Sequence, residues 1–140
     1  MKINVFSFGF MHGCAEAEYV FDLRFLPNPY WDPALRGCSG DDPKVSGFVL
    51  DHAETKEFLA LLKPLLTVVC AGRAGNDDPF NKDAELRIAF GCTGGFHRSV
   101  AIAEHIAAWL ADSGYNVECG HRDRERTRAW LAEQAAGRTG

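Results

Sequence analysis

The segment Leu86–Ser99, LRIAFGCTGGFHRS, constrains this chain more than any other. Ile88-Ala89-Phe90 is a short apolar run and reads as a buried strand. It breaks into Gly91-Cys92-Thr93-Gly94-Gly95, and a helical pattern starts at His97-Arg98-Ser99 and continues through Val100-Ala101-Ile102-Ala103. A strand that turns into a helix through glycines makes an anion site. The glycines let successive backbone N–H groups point into one concavity. The helix N-terminus adds partial positive charge and unpaired donors. Arg98 offers a bidentate fork to phosphate or carboxylate, and His97 a second donor. Packing alone does not call for His and Arg beside such a turn.

The flanking sequence places that segment in a sheet. Ile3–Phe8 alternates and is β-prone, and Gly9 ends it. Phe10–Glu18 reads as a loop with a short helical turn. Its Met11, His12 and Cys14 have no ligand spacing, so His12 is expected on the surface. Tyr19–Leu23 is a second strand. It feeds Arg24–Pro33, whose three prolines exclude helix and central strand. A stiff aromatic loop carrying Arg24, Asn28 and Asp32 reads either as a binding wall or as a packed Ω-loop.

Asp42-Pro43 has the chemistry of a helix start. Asp51-x-x-Glu54 reads as a capping box, and Phe58, Leu61, Leu62, Leu65 and Val69 recur at helical spacing as a core face, with Pro64 inside. His52 is expected to be solvated. Ala71–Glu85 reads as a surface loop, and its adjacent Asp77-Asp78 do not face one ion. Val100, Ala103, Ala107 and Leu110 line a later helix, widened by Ile102, Ile106 and Trp109, with Glu104, His105 and Ala108 outside. Ser113-Gly114 ends it. Tyr115–Cys119 is a short strand broken by Gly120, and Ala129-Trp130-Leu131 belongs to a C-terminal helix with a frayed tail at 136–140.

The order β, β, α, β, α, β, α predicts a single layered α/β domain over 1–140, with a largely parallel central sheet flanked by helices. Ligands bind off the carboxyl ends of parallel strands. Ser7–Gly9, Arg24–Asn28, Gly91–Arg98 and His121-Arg122 then share one rim. The 140 residues include 46% apolar and 24% charged, and the formal charge is −4, so nothing overall drives the chain toward nucleic acid or membrane. No apolar run approaches the ~18–20 residues of a bilayer span. The first residues lack the pattern of a signal peptide, and a cytoplasmic location is expected. The five cysteines, Cys14, Cys38, Cys70, Cys92 and Cys119, contain no C-x-x-C. Reduced thiols are therefore expected, with Cys70 and Cys119 in the core, and neither a metal nor a cofactor.

The central loop admits a second chemistry. Cys92–Ser99 is C-x-x-G-x-x-R-S, the signature shape of protein tyrosine phosphatases, in which the cradle and Arg hold phosphate while the Cys attacks phosphorus. Cys92 is then the nucleophile, Arg98 the transition-state cation and Asp32 the general acid of a phosphomonoester phosphatase. That family places His before the Cys, where this chain has Gly91.

SFGF at Ser7–Phe10, YVFDLRFLPNPYWDPALR at Tyr19–Arg36 and GCTGGFHRSVAIAE at Gly91–Glu104 together resemble the C-terminal domain of the RNase adaptor protein RapZ family. Tyr115–Val117 and His121-Arg122-Asp123 extend the likeness over nearly the whole chain. The resemblance implies a non-catalytic sensor of glucosamine-6-phosphate or a similar phosphorylated metabolite, RNA or partner-protein binding, and self-association into an oligomer. Such proteins also carry a nucleotide-binding N-terminal domain with a Walker A loop. No G-x-x-x-x-G-K-[ST] occurs here, so nucleotide binding by that half does not carry over. The family's sugar-phosphate contacts map onto Thr93, Gly94, His97 and Arg98, with Gly95 and Ser99 completing the loop. A further family contact, often His, is Tyr30 here, and Arg24, Asn28 and Tyr30 line the sugar side. Enterobacterial members bind RNA through a basic C-terminal tail. The corresponding stretch holds Arg122, Arg124, Arg126 and Arg128 interleaved with Asp123 and Glu125, which reads equally as a salt-bridged solvent face.

Overall fold

The computed structural model describes residues 1–75 and 85–139. Four strands, β1 (Lys2–Gly9), β2 (Tyr19–Asp22), β3 (Leu86–Cys92) and β4 (Asn116–His121), form one sheet in the order β2-β3-β1-β4. All neighbours are parallel, with Val5 beside Ile88 and Cys119, and Ser7 beside Phe90 and His121. Parallel pairing requires crossovers. Helices α1 (Pro43–Asp51) and α2 (Ala53–Ala74) fall between β2 and β3, and α3 (Arg98–Asp112) between β3 and β4; α4 (Arg124–Thr139) closes the chain. This is the α/β domain expected. Its carboxyl rim carries all four segments predicted to share it.

The core explains the strand positions. Ile3, Val5, Leu86, Ile88 and Phe90 are fully buried, under Ala101, Ile102, Ile106 and Leu110 of α3. β3 and β1 are the inner strands, and β3 is buried at every residue except Arg87. That is why its Ile88-Ala89-Phe90 run shows no polar alternation. α1 starts as read: Asp42 Oδ1 accepts the Lys44 N–H at 2.9 Å, and Pro43 occupies the first turn.

Several local expectations change. The capping box at Asp51 is absent: Asp51 ends α1, and His52 precedes α2 with no side-chain cap. α2 buries Thr55, Leu59, Leu62, Leu66 and Cys70, while Leu61 and Leu65 point outward. Apolar residues sit at almost every position from 58 to 69, so periodicity alone does not select the face. The helix passes Pro64 and runs to Ala74, beyond the predicted loop start at Ala71. Asp77-Asp78 lie outside the described residues. Gly120 lies inside β4 instead of breaking it, because Phe6 of β1 pairs beside it. α4 begins at Arg124 and extends through residues 136–139, where a loose tail was expected.

Three histidines are also less exposed than predicted. His52 Nδ1 bonds the Phe48 carbonyl at 2.5 Å. His12 bonds Thr127. His105 is half-buried with Nε2 unpartnered, and burial, then the Lys63 charge, hold its pKa below the usual histidine range. None of the described helices is long and apolar enough to cross a membrane.

Candidate anion-binding site

The loop from Thr93 to His97 is fixed by main-chain contacts on two sides. Met11 N–H donates to the Thr93 carbonyl at 3.0 Å, and Gly40 N–H to the Phe96 carbonyl at 2.8 Å. Two glycines make the close approach sterically allowed. Gly95 has φ +67°, and a Cβ there would meet the Gly9 nitrogen and the Phe8 carbonyl carbon. A Cβ on Gly9 would overlap the Gly94 carbonyl carbon. The end of β1 is thus pressed onto the glycine turn. Among the described residues, no protein acceptor takes the N–H groups of Gly94, Gly95 or Phe96.

Arg98, the first residue of α3, is 4% exposed. Its Nη1 donates to the carbonyls of Arg24 and Leu26, each at 3.0 Å, and its Nη2 to Thr93 Oγ1 at 3.4 Å. Nε is buried with no hydrogen-bond partner. Burial pushes the guanidinium pKa down, while the nearby Cys92 and Asp22 act in the opposite direction. A buried cation held by carbonyls, with no carboxylate bonded to it, is an incomplete electrostatic arrangement that an anion completes.

His97 is 7% exposed, and its Nε2 lies 2.9 Å from the Arg36 carbonyl. A carbonyl only accepts, so Nε2 carries the proton and is spent on Arg36. Burial, and the Arg98 charge beside it, hold the pKa below the ordinary value. The neutral ring therefore presents Nδ1 as an acceptor, and it becomes the second donor envisaged for it only on protonation.

These groups border a cavity of about 370 Å³. Asn28, Tyr30, Thr93, Gly94, His97 and Arg98, the residues read from the sequence as ligand contacts, are among its lining. Gly95 and Ser99 sit behind the wall and shape the turn. Ser99 is fully buried and its backbone and hydroxyl face the Cys92 sulfur, at 3.4 and 3.1 Å. Arg24 departs from the prediction: its guanidinium grips Asp22 in a bidentate pair and lies 4.0 Å over the Phe10 ring. It contributes its carbonyl to Arg98, not its charge to the cavity. Asn28 also caps the Pro29–Trp31 turn by accepting the Tyr30 N–H.

For the phosphatase constellation, Cys92 is among the lining residues but Asp32 is not. Asp32 instead accepts the Ala34 N–H at 2.9 Å. The four C-terminal arginines are also committed elsewhere. Arg122 and Arg126 pair with Asp123, Arg124 with Asp41 and Glu125, and Arg128 with Glu125.

The far wall was not foreseen. Met11, Trp31, Phe96, Thr127, Trp130 and Leu131 complete the lining. Thr127, Trp130 and Leu131 recur at i, i+3, i+4 on α4, a signal the sequence contains once that helix is recognised. Thr127 Oγ1 donates to the Gly94 carbonyl at 2.6 Å, so His12 Nε2, 2.9 Å away, must donate to Thr127.

An all-parallel α/β sheet whose carboxyl rim presents a glycine turn and a buried, incompletely paired arginine defines the class of this domain. The chain belongs to the RapZ C-terminal domain family, whose model matches residues 1–125. It is 45% identical over 129 residues to a nucleotide-binding protein of Corynebacterium jeikeium (strain K411), covering 90% of this chain and 42% of that protein. It is 43% identical over 131 residues to the RNase adapter protein RapZ of Erwinia tasmaniensis, covering 88% and 42%. To a nucleotide-binding protein of Geotalea daltonii it is 43% identical over 127 residues, covering 90% and 43%. The chain therefore spans well under half the length of these relatives.

Proposed function

We propose that the cavity binds a phosphorylated metabolite, of the glucosamine-6-phosphate kind, and reports its presence to a partner as part of an adaptor. The observation that carries this reading is Arg98: a buried guanidinium with Nε unpartnered, beside a loop whose N–H groups meet no protein acceptor. Arg98, Gly94 and Phe96 line the cavity, so a phosphate there takes donors from the guanidinium and from the N–H groups of Gly94 and Phe96. None of the cavity-lining side chains is a carboxylate. The phosphate is therefore the dominant determinant, and the sugar is held by Asn28, Tyr30 and the aromatic wall.

The route to a partner runs through α4. One face of that helix lines the cavity with Thr127, Trp130 and Leu131. Its outer arginines face neighbouring carboxylates, so a protein surface, rather than RNA, is the partner this stretch suits. The name RNase adapter borne by the Erwinia relative supports an adaptor role, and an oligomer in the cytoplasm fits the same reading.

A second reading is supported by Cys92 lining the same cavity as Arg98. It makes the domain a phosphomonoester phosphatase. Its weakness is the acid, since Asp32 caps a turn outside the lining. Hydrolysis of a chromogenic phosphomonoester separates the two. The sensor reading expects no turnover by the wild type and glucosamine-6-phosphate binding that survives Cys92→Ser. Turnover abolished by Cys92→Ser overturns it.

A further inference from the structure

Outside this cavity, α3 and β4 bring together a second group of chemically able side chains. Glu104 lies on α3, and Cys119 and His121 lie on β4, two residues apart and therefore on one face of the strand. One donor atom from each, a carboxylate oxygen, the Cys119 sulfur and a His121 ring nitrogen, all fall within 4.8 Å of one another. We propose that Glu104, Cys119 and His121 bind a single divalent transition metal of the zinc type, tying the α3 helix to the edge strand.

The donor set selects the metal. A thiolate, an imidazole and a carboxylate suit zinc and its neighbours, whereas magnesium and calcium take oxygen ligands. Tetrahedral zinc with bonds of about 2.0–2.3 Å places its ligands roughly 3.3–3.8 Å apart, inside the 4.8 Å that bounds the three donor atoms here. His121 Nε2 now lies 2.6 Å from Glu104 Oε1. Glu104 is half-exposed, so its side chain moves outward by the small amount an inserted ion needs.

The supporting partner is already in place. His121 Nδ1 lies 2.6 Å from Ser7 Oγ, and Ser7 is fully buried on β1. With Nε2 on the metal, the Nδ1 proton goes to Ser7, the second hydrogen bond that metal-bound histidines normally make. The His121 side chain is 6% exposed and held between these two contacts, so its ring is oriented before any ion arrives. Ser7, His121 and Glu104 also line up as a nucleophile–base–acid series, but the burial of Ser7 closes that route. The absence of C-x-x-C hides such a site from sequence, because its ligands come from two elements joined by topology.

The test is titration of the full chain with cobalt(II), whose thiolate charge-transfer and tetrahedral d–d bands report the ligands directly. Wild type is expected to saturate at one cobalt per chain with both bands, and zinc is expected to displace it. Cys119→Ser loses the charge-transfer band, and Glu104→Gln, at a half-exposed site where folding is not at risk, weakens binding at least about tenfold. Cys14→Ser and Cys38→Ser keep both bands. Absence of the bands in wild type, or their persistence in Cys119→Ser, overturns the proposal. Circular dichroism of the metal-free variants verifies that lost bands are not lost folding.

Discussion

Asp123 Oδ2 accepts the Gly9 N–H at 2.7 Å, joining residues 114 positions apart. Asp123 is fully buried, and Arg122 and Arg126 approach the same carboxylate. Burial alone would raise its pKa; Arg122, the Gly9 N–H and Arg126 outweigh that and hold it below the usual carboxylate range. Because Gly9 packs on Gly94 and Gly95, this bond fixes the glycine turn from behind. Arg122 extends the clasp to the Gly13 carbonyl at 2.5 Å.

Asp123→Ala should therefore destabilise the domain by about 3 kcal/mol, the low end for breaking a buried charged pair, since both arginines reach solvent. Urea denaturation measures it. A loss below ~1 kcal/mol would mean the clasp is incidental.

Gly95→Ala should cost about 1–3 kcal/mol, from positive φ and from the overlap with Gly9. Its larger effect falls on the ligand. Displacing the turn should weaken phosphate binding at least about tenfold, measured by calorimetry on the folded variant. Full-strength binding would show that the turn's backbone does not contact the anion.

The layered architecture and the strand–glycine turn–helix course of the Arg98 loop were legible in the sequence, whereas Arg24–Pro33 read either as a wall or as a packed Ω-loop. The first two depend on short-range chemistry: apolar runs, glycine, proline, and a cation in a helix's first turn. The contribution of α4 was not. Asp123 and Thr127 look like members of a charged surface run, and only tertiary contact with Gly9 and Gly94 reveals their use. The mistaken face of α2 and the fate of Arg24 have a similar origin. Leu61 resembles Leu62 until packing separates them, and Arg24 has Asp22 two residues away.

Acidification from pH 7 to 5 should lower stability. His97 and His105 have folded pKa values below the ordinary 6.5, both chiefly through burial. Above 6.5 both states are neutral; below it the unfolded chain takes the proton first, so stability falls as pH drops toward the folded values. The slope approaches about 1.4 kcal/mol per pH unit for a fully buried histidine and is smaller for half-buried His105. His105→Gln should flatten the urea-midpoint profile over this range. An unchanged slope would show that His105 does not contribute to the pH dependence.

RNA binding by the C-terminal arginines should be weak and nearly insensitive to salt. Arg122, Arg124, Arg126 and Arg128 each face a carboxylate, so few cations are left to release counterions from phosphate. Filter binding across a salt series measures the slope. A steep negative slope, reduced by replacing these arginines, would show that the ion pairs open for RNA.

In the proposed sensor, buried Arg98 is the group that meets the phosphate. The most direct test is calorimetric titration of glucosamine-6-phosphate into wild type, Arg98→Lys and Arg98→Ala, with glucosamine as the phosphate-free control. The expected result is binding to wild type, a loss of at least about 100-fold in Arg98→Ala, a smaller loss in Arg98→Lys because the point charge remains but the fork does not, and no detectable binding of glucosamine. Equal affinity of folded Arg98→Ala and wild type for glucosamine-6-phosphate, or equal affinity of wild type for the two sugars, would contradict it.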